Sequence, residues 1–167
     1  MQKYSFILLC CFLFTACTIS YKFSGASIDY SKTKTITIND FPNRASLVNP
    51  LLSQQFNEAL KDIYTKQTRL KPVSKDGDME ISGEITGYYL TPMAIQSDAL
   101  AAETRLTVTI RVSYMNRKMP SKDFERTLTA YQNFPSSKLF TEVQNELCKL
   151  IIEELTETIY NQTAADW

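Results

Sequence analysis

Histidine is absent from the 167 residues. With it go the commonest general base, the Ser–His and Cys–His nucleophile pairs, and the most frequent metal ligand. Glycine is scarce, four in all and scattered, so no glycine-rich loop can cradle a phosphate. Neither sign of charge is in excess, with Lys plus Arg and Asp plus Glu at 18 each. That balance leaves no basic field to hold a nucleic acid by counterion release. The length suits one domain with a real core and is too short for two comfortable ones. No catalytic residue, cofactor or metal ligand set is expected.

The carboxylates and the lone downstream thiol do not change this. Asp76-Gly77-Asp78 resembles a piece of a calcium loop but lacks the spaced ligands and the closing Glu, so it reads as a turn. Glu80 and Glu84 share a strand face, yet four residues at ~3.3 Å put them about 13 Å apart, beyond either glycosidase spacing. Cys148 has no histidine to activate it and reads as a buried, inert thiol.

What is present begins at the N-terminus. Lys3 precedes the apolar run Phe6 to Phe14, which is shorter than the ~20 residues needed to span a bilayer. Three readings of the following Cys17 compete: ordinary cleavage after Ala16, a transmembrane start, and a lipoprotein signal. Phe14-Thr15-Ala16-Cys17 is similar to the lipoprotein motif Leu-Ala-Gly-Cys, with Phe14 in place of the usual aliphatic residue. Small residues before the cysteine let the peptidase reach the bond, which favours the third reading. Residues 1–16 are then a discarded signal peptide, Cys17 carries the lipid, and several acyl chains hold the outer membrane far more firmly than one. Thr18, and no acidic run, follows the cysteine. By similarity to known sorting signals this points to the periplasmic face of the outer membrane.

Residues 17–33 read as a lipidated tether and 34–167 as a single domain. KTITI alternates as a short strand, and Asn39 to Asn43 is a turn by composition. Asn49-Pro50 predicts a helix start, followed by an apolar stripe of Leu52, Phe56, Ala59, Leu60 and Ile63. Three strands come next. The first sets Ile81, Gly83, Ile85, Gly87 and Tyr89 on one face, its glycines leaving space for a side chain or marking a bulge. The second, Thr104 to Tyr114, puts Leu106, Val108, Ile110, Val112 and Tyr114 inward and Arg105, Thr107, Thr109, Arg111 and Ser113 outward. The third, from Asp123 to Phe134, carries Arg126 among apolar neighbours and suits an edge or the cover of a polar surface. Ser136 or Ser137 is expected to cap a last helix with Phe140, Val143, Leu147, Ile151, Leu155 and Ile159 inward, flanked by Cys148 and Leu150. The order β-α-β-β-β-α predicts an α+β two-layer sandwich, two helices on one face of a small, mostly antiparallel four-stranded sheet. Tyr21, Phe23, Tyr30, Tyr88, Tyr89, Tyr114 and Tyr131 exceed what so small a core needs, and suit either half-buried sheet positions or a contact surface.

The order of these parts resembles the LptE family of lipopolysaccharide-assembly lipoproteins: lipidated cysteine, Tyr21-Lys22-Phe23-Ser24-Gly25, KTITI, the helix begun by Asn49-Pro50-Leu51-Leu52, three strands and a long C-terminal helix. Its Bacteroidetes version is the one most similar, through FPNRASLVNPLLSQQF, GDMEISGEITGYYLTP and IYNQTAADW. The resemblance implies a non-enzymatic plug and assembly partner of a large outer-membrane β-barrel that inserts lipopolysaccharide into the outer leaflet. On that reading Arg105, Thr107, Thr109 and Arg111 are candidate barrel-wall contacts. Arg117, Lys118 and Lys122, in the most basic short stretch of the chain, are candidates for lipopolysaccharide phosphates. The rival is a free-standing periplasmic lipoprotein that binds a small ligand or soluble partner as a stable monomer.

Overall fold

The structure is a computed structural model that describes residues 28–47, 49–93 and 102–165. Cys17 and the signal peptide lie outside the described residues. The elements are β1 (Thr35–Ile38), α1 (Leu52–Gln67), β2 (Lys71–Pro72), β3 (Met79–Pro92), β4 (Glu103–Asn116), a 3-10 turn (Pro120–Lys122), β5 (Phe124–Pro135) and α2 (Phe140–Thr163). Their order and the one-sided helix layer match the expected α+β sandwich.

The sheet differs in two respects. It has five strands, not four, ordered β2-β1-β3-β4-β5, and it is mixed, because β1 runs parallel to both β2 and β3. The parallel pairs arise because α1 lies between β1 and β2 and returns the chain to its starting end. Pro72, which cannot donate to a ladder, fits a two-residue outermost strand. Beyond β1, the supposed turn keeps the same edge of β3 occupied: Asn39 N–H reaches Ile81 O and Arg44 N–H reaches Ile85 O, at 2.9 and 2.8 Å.

Both helices bury one stripe against the sheet. In α1 the buried residues are Leu52, Phe56, Asn57, Leu60 and Tyr64, so the stripe bends away from Ile63, which is only half-buried. Asn57 is buried because its Oδ1 accepts the Phe41 N–H at 2.8 Å, while Ser53 Oγ donates to Phe41 O at 2.6 Å. Phe41, inside the supposed turn, is thereby fixed at the centre of the core against Phe56. Asn49 makes the expected capping bond, its Oδ1 accepting the Leu51 N–H at 3.1 Å, although the regular part of helix α1 begins only at Leu52. By contrast α2 starts at Phe140 without a serine cap, Ser136 Oγ being paired with Thr104. Leu150, expected to flank the stripe, is 43% exposed, whereas Ile152 is buried.

Helices α1 and α2 are parallel. Near their N-termini Asn49 Nδ2 lies 3.6 Å from Cys148 Sγ; near their C-termini Tyr64 and Thr163 share a hydroxyl contact and Tyr160 OH donates to Gln67 O.

A bulge between Ile85 and Gly87 adds one residue to β3 opposite β4. Because side chains alternate with a period of two, the extra residue exchanges the faces beyond it. Tyr88 therefore points into the core and Tyr89 out, the reverse of the simple alternation. Tyr88 OH accepts from Gln144 Nε2 at 2.9 Å and meets Asn49 and Cys148. Burial pushes its pKa up to about 12 and raises that of Cys148, which stays a thiol.

Two predictions follow from this packing. A Cβ on Gly83 would meet Arg111 O at 2.2 Å and Phe41 Cε1 at 2.4 Å, whereas one on Gly87 first meets Thr109 Cβ at 3.0 Å. Gly83→Ala is expected to cost about 3 kcal/mol or more in urea unfolding and Gly87→Ala about 1 or less. Tyr88 is neutral in the core and has an ordinary pKa near 10 when unfolded. Its contribution is thus complete below pH 10 and is lost as pH rises towards 12. Tyr88→Phe should flatten that part of the alkaline decline in urea midpoint while leaving the share due to Tyr64 and Tyr114, whose pKa values burial also raises.

Candidate functional site

Since both helices cover one face, the other face of β3, β4 and β5 is free of them. The ladder register places Arg105, Thr107, Thr109 and Arg111 in one row along β4 on that face, with partners from β3 and β5 beside each. Arg111 lies 3.5 Å from Glu84 and 4.0 Å from Glu125, an exposed set worth little to stability. Thr109 and Thr129 hydroxyls are 3.2 Å apart. Arg105 Nε donates to Asn133 Oδ1 at 3.0 Å, and its guanidinium lies 3.8 Å from the Tyr131 ring centroid.

Thr107 sits between Tyr89 and Tyr131 in register and is only 6% exposed, although neither α1 nor α2 covers it. The two tyrosines, 48% and 49% exposed, belong to the same surface. Gly87 leaves room for the Tyr89 ring, whose Cε1 would be 3.3 Å from an added Cβ. Simple alternation assigned Tyr89 to the other face; the glycine-marked bulge was the signal that places it here.

The β4–β5 hairpin gathers Arg117, Lys118 and Lys122 as expected, but the loop is tied down. Asn116 Oδ1 accepts the N–H groups of Lys118 and Met119, both at 3.0 Å, and Asp123 Oδ1 accepts that of Asn116 at 2.7 Å. Arg117 donates to Gly77 O at 3.1 Å and to Glu80 Oε2 at 2.9 Å, and lies 3.4 Å from Asp76. Lys118 Nζ is 3.2 Å from Asp78 Oδ1. Lys122 closes the 3-10 turn, its N–H donating to Met119 O. The charge that marks this loop in the sequence is therefore locally matched by carboxylates forty residues away.

Asp76-Gly77-Asp78 is a clasp between strands. Asp76 takes the left-handed conformation at φ 57°. Gly77 N–H donates to Thr37 Oγ1 at 3.0 Å, and Asp78 Oδ2 accepts the N–H groups of Lys34 and Thr35 at 2.8 and 3.1 Å. The Lys34 N–H above all, helped by Lys118 and Thr35, lowers the Asp78 pKa to about 2. Among the described residues no group of three or more metal-ligating side chains occurs, and no helix is long and apolar enough to cross a membrane.

Asp78 stabilises the start of β1 above its ordinary pKa of 3.8, and this contribution is lost as pH falls towards 2. Asp78→Ala should speed amide exchange at Lys34 and Thr35 about tenfold or more while the β3–β4 ladder stays protected.

Comparison with known proteins adds three findings. The family model described as LptE, lipopolysaccharide-assembly, matches residues 33–163. A minor lipoprotein from Acinetobacter baumannii shares the fold at TM-score 0.52 and 17% identity, over 78% of this chain and 91% of its own. A hypothetical protein from Chlamydia trachomatis does so at TM-score 0.52 and 10% identity, over 78% of this chain and 97% of its own. No curated protein matches the sequence.

Proposed function

Because the chain belongs to the LptE family, whose members are non-catalytic lipoproteins anchored to the outer membrane and partners of LptD in lipopolysaccharide assembly, we propose that its helix-free sheet face is the surface that meets the LptD barrel. The observation that carries this is the character of that face. It is polar and rich in Thr and Arg, with two half-exposed tyrosines in its midst. Such a surface suits the polar lumen of a large β-barrel, where the domain acts as a plug. Arg105, Thr107, Thr109 and Arg111 are the proposed wall contacts, and tyrosine and arginine are the side chains most often dominant at interfaces.

The anchor in this reading is Cys17, acylated after removal of residues 1–16. The tether it begins is shorter than residues 17–33, since Ile28 is already buried in the core. The chain is further proposed to be of the Bacteroidetes type, on the segments FPNRASLVNPLLSQQF and GDMEISGEITGYYLTP. Arg117, Lys118 and Lys122 are proposed phosphate contacts, with lipopolysaccharide exchanging for the carboxylates that now hold Arg117 and Lys118.

A mild-detergent pull-down of the tagged, lipidated protein from native outer membranes is expected to recover LptD in stoichiometric amount. Arg105→Glu with Arg111→Glu should lower that recovery about tenfold or more while the urea midpoint holds. Recovery of the lipoprotein alone would instead favour a solitary binding module. Full lipopolysaccharide affinity after Arg117, Lys118 and Lys122 are all changed to Ala would sink the phosphate role of the loop.

A further inference from the structure

The zero net charge of the chain conceals a separation of charge. Between α1 and α2 runs a groove lined by Glu58, Asp62, Glu153 and Glu157, with Lys66 and Lys149 as its cations. The β1–β2 edge carries Lys34, Arg69, Lys71 and Lys75, all exposed. Among the described residues none of these four has a carboxylate within ion-pair distance, while the nearby Asp29, Asp76 and Asp78 are taken by Lys32, Arg117 and Lys118. The four converge although they are dispersed in sequence. Lys71 N–H donates to Lys34 O at 2.9 Å, Lys71 pairs with Thr35 in register, and Val73 N–H donates to Ile36 O, which carries Arg69 to Lys75 along the outside of β1.

The same edge is where the chain leaves towards its anchor. Ile28 is buried, the turn Asp29 to Thr33 is closed by Thr33 N–H to Asp29 O at 2.8 Å, and Lys34 follows at once. From Cys17 to Ile28 is eleven residue steps, which span at most about 37 Å. With Cys17 acylated, the end of the described chain therefore stays within that distance of the bilayer.

We infer that, before the domain enters the barrel, the β1–β2 edge, through Lys34, Arg69, Lys71 and Lys75, rests on anionic phospholipid headgroups of the leaflet that holds the acyl anchor. The inference rests on acylation at Cys17. Unpaired surface cations beside a lipid anchor are the second of the two signals that make membrane attachment firm and orient what is attached.

The test uses the mature lipidated protein in phosphatidylcholine vesicles, with and without phosphatidylglycerol, and amine labelling read by mass spectrometry. Labelling at Lys34, Lys71 and Lys75 is expected to fall about fivefold or more with phosphatidylglycerol and to recover at high salt. Lys138 and Lys149 should be labelled alike in both vesicles. Equal labelling at the edge lysines in both vesicles would overturn the inference. So would the same protection in phosphatidylcholine vesicles with inorganic phosphate added, which would make the edge a general phosphate site. Failure of the protein to float with either vesicle would overturn acylation instead, and incorporation of labelled palmitate, lost in Cys17→Ser, separates the two failures.

Discussion

Two helices packed on one face of a sheet leave its other face to something else, and this constraint organises the molecule. The apolar stripes of α1 and α2 bury Ile81, Ile85, Leu106, Val108, Ile110 and Val112 between them and the strands. Each fully buried side chain of that size is worth roughly 1.5–3 kcal/mol, so the inward phase of β4 is strongly fixed. The outward phase follows without any energy term of its own. Arg105, Thr107, Thr109 and Arg111 share a face because their neighbours are committed to the core.

Where the inward phase breaks, a polar cluster holds the break in place. The extra residue of β3 opposite β4 sends Tyr88 to Asn49, Gln144 and Cys148, tying the strand to the entrance of α1 and the first half of α2. Tyr89 gains its place beside Thr107 and Tyr131 by the same shift. Core and surface are coupled there: the residue that satisfies the interior hydroxyl is adjacent to the one that shapes the exterior face.

Much of this was legible in the sequence because it rests on period and composition. The alternation of β4, the existence of both helices and the face shared by Arg105 and Arg111 came from spacing alone. The parts that were not legible depend on long-range hydrogen bonds. Nothing near Phe41 announces that Asn57 and Ser53 will clasp its backbone, and so a turn by composition became the centre of the core. Lys71-Pro72 is too short to alternate, and β1 shows its parallel partners only once α1 has brought the chain back. The hairpin cations Arg117 and Lys118 looked free because their carboxylates lie forty residues away.

Strand β5 ends the sheet with twelve residues whose outer edge has no strand beside it among the described residues. Arg126 stands opposite Val112, on the helix side of that strand, where it reaches Gln162 and lies over Phe124. A second copy adding its own β5 there would bring two guanidinium groups together against an apolar layer, and Pro135 would interrupt the new ladder at its end. The strand is thus long enough to complete the sheet and poorly suited to extend it. A lipoprotein that must wait for its barrel can do so without recruiting its own kind into a growing stack.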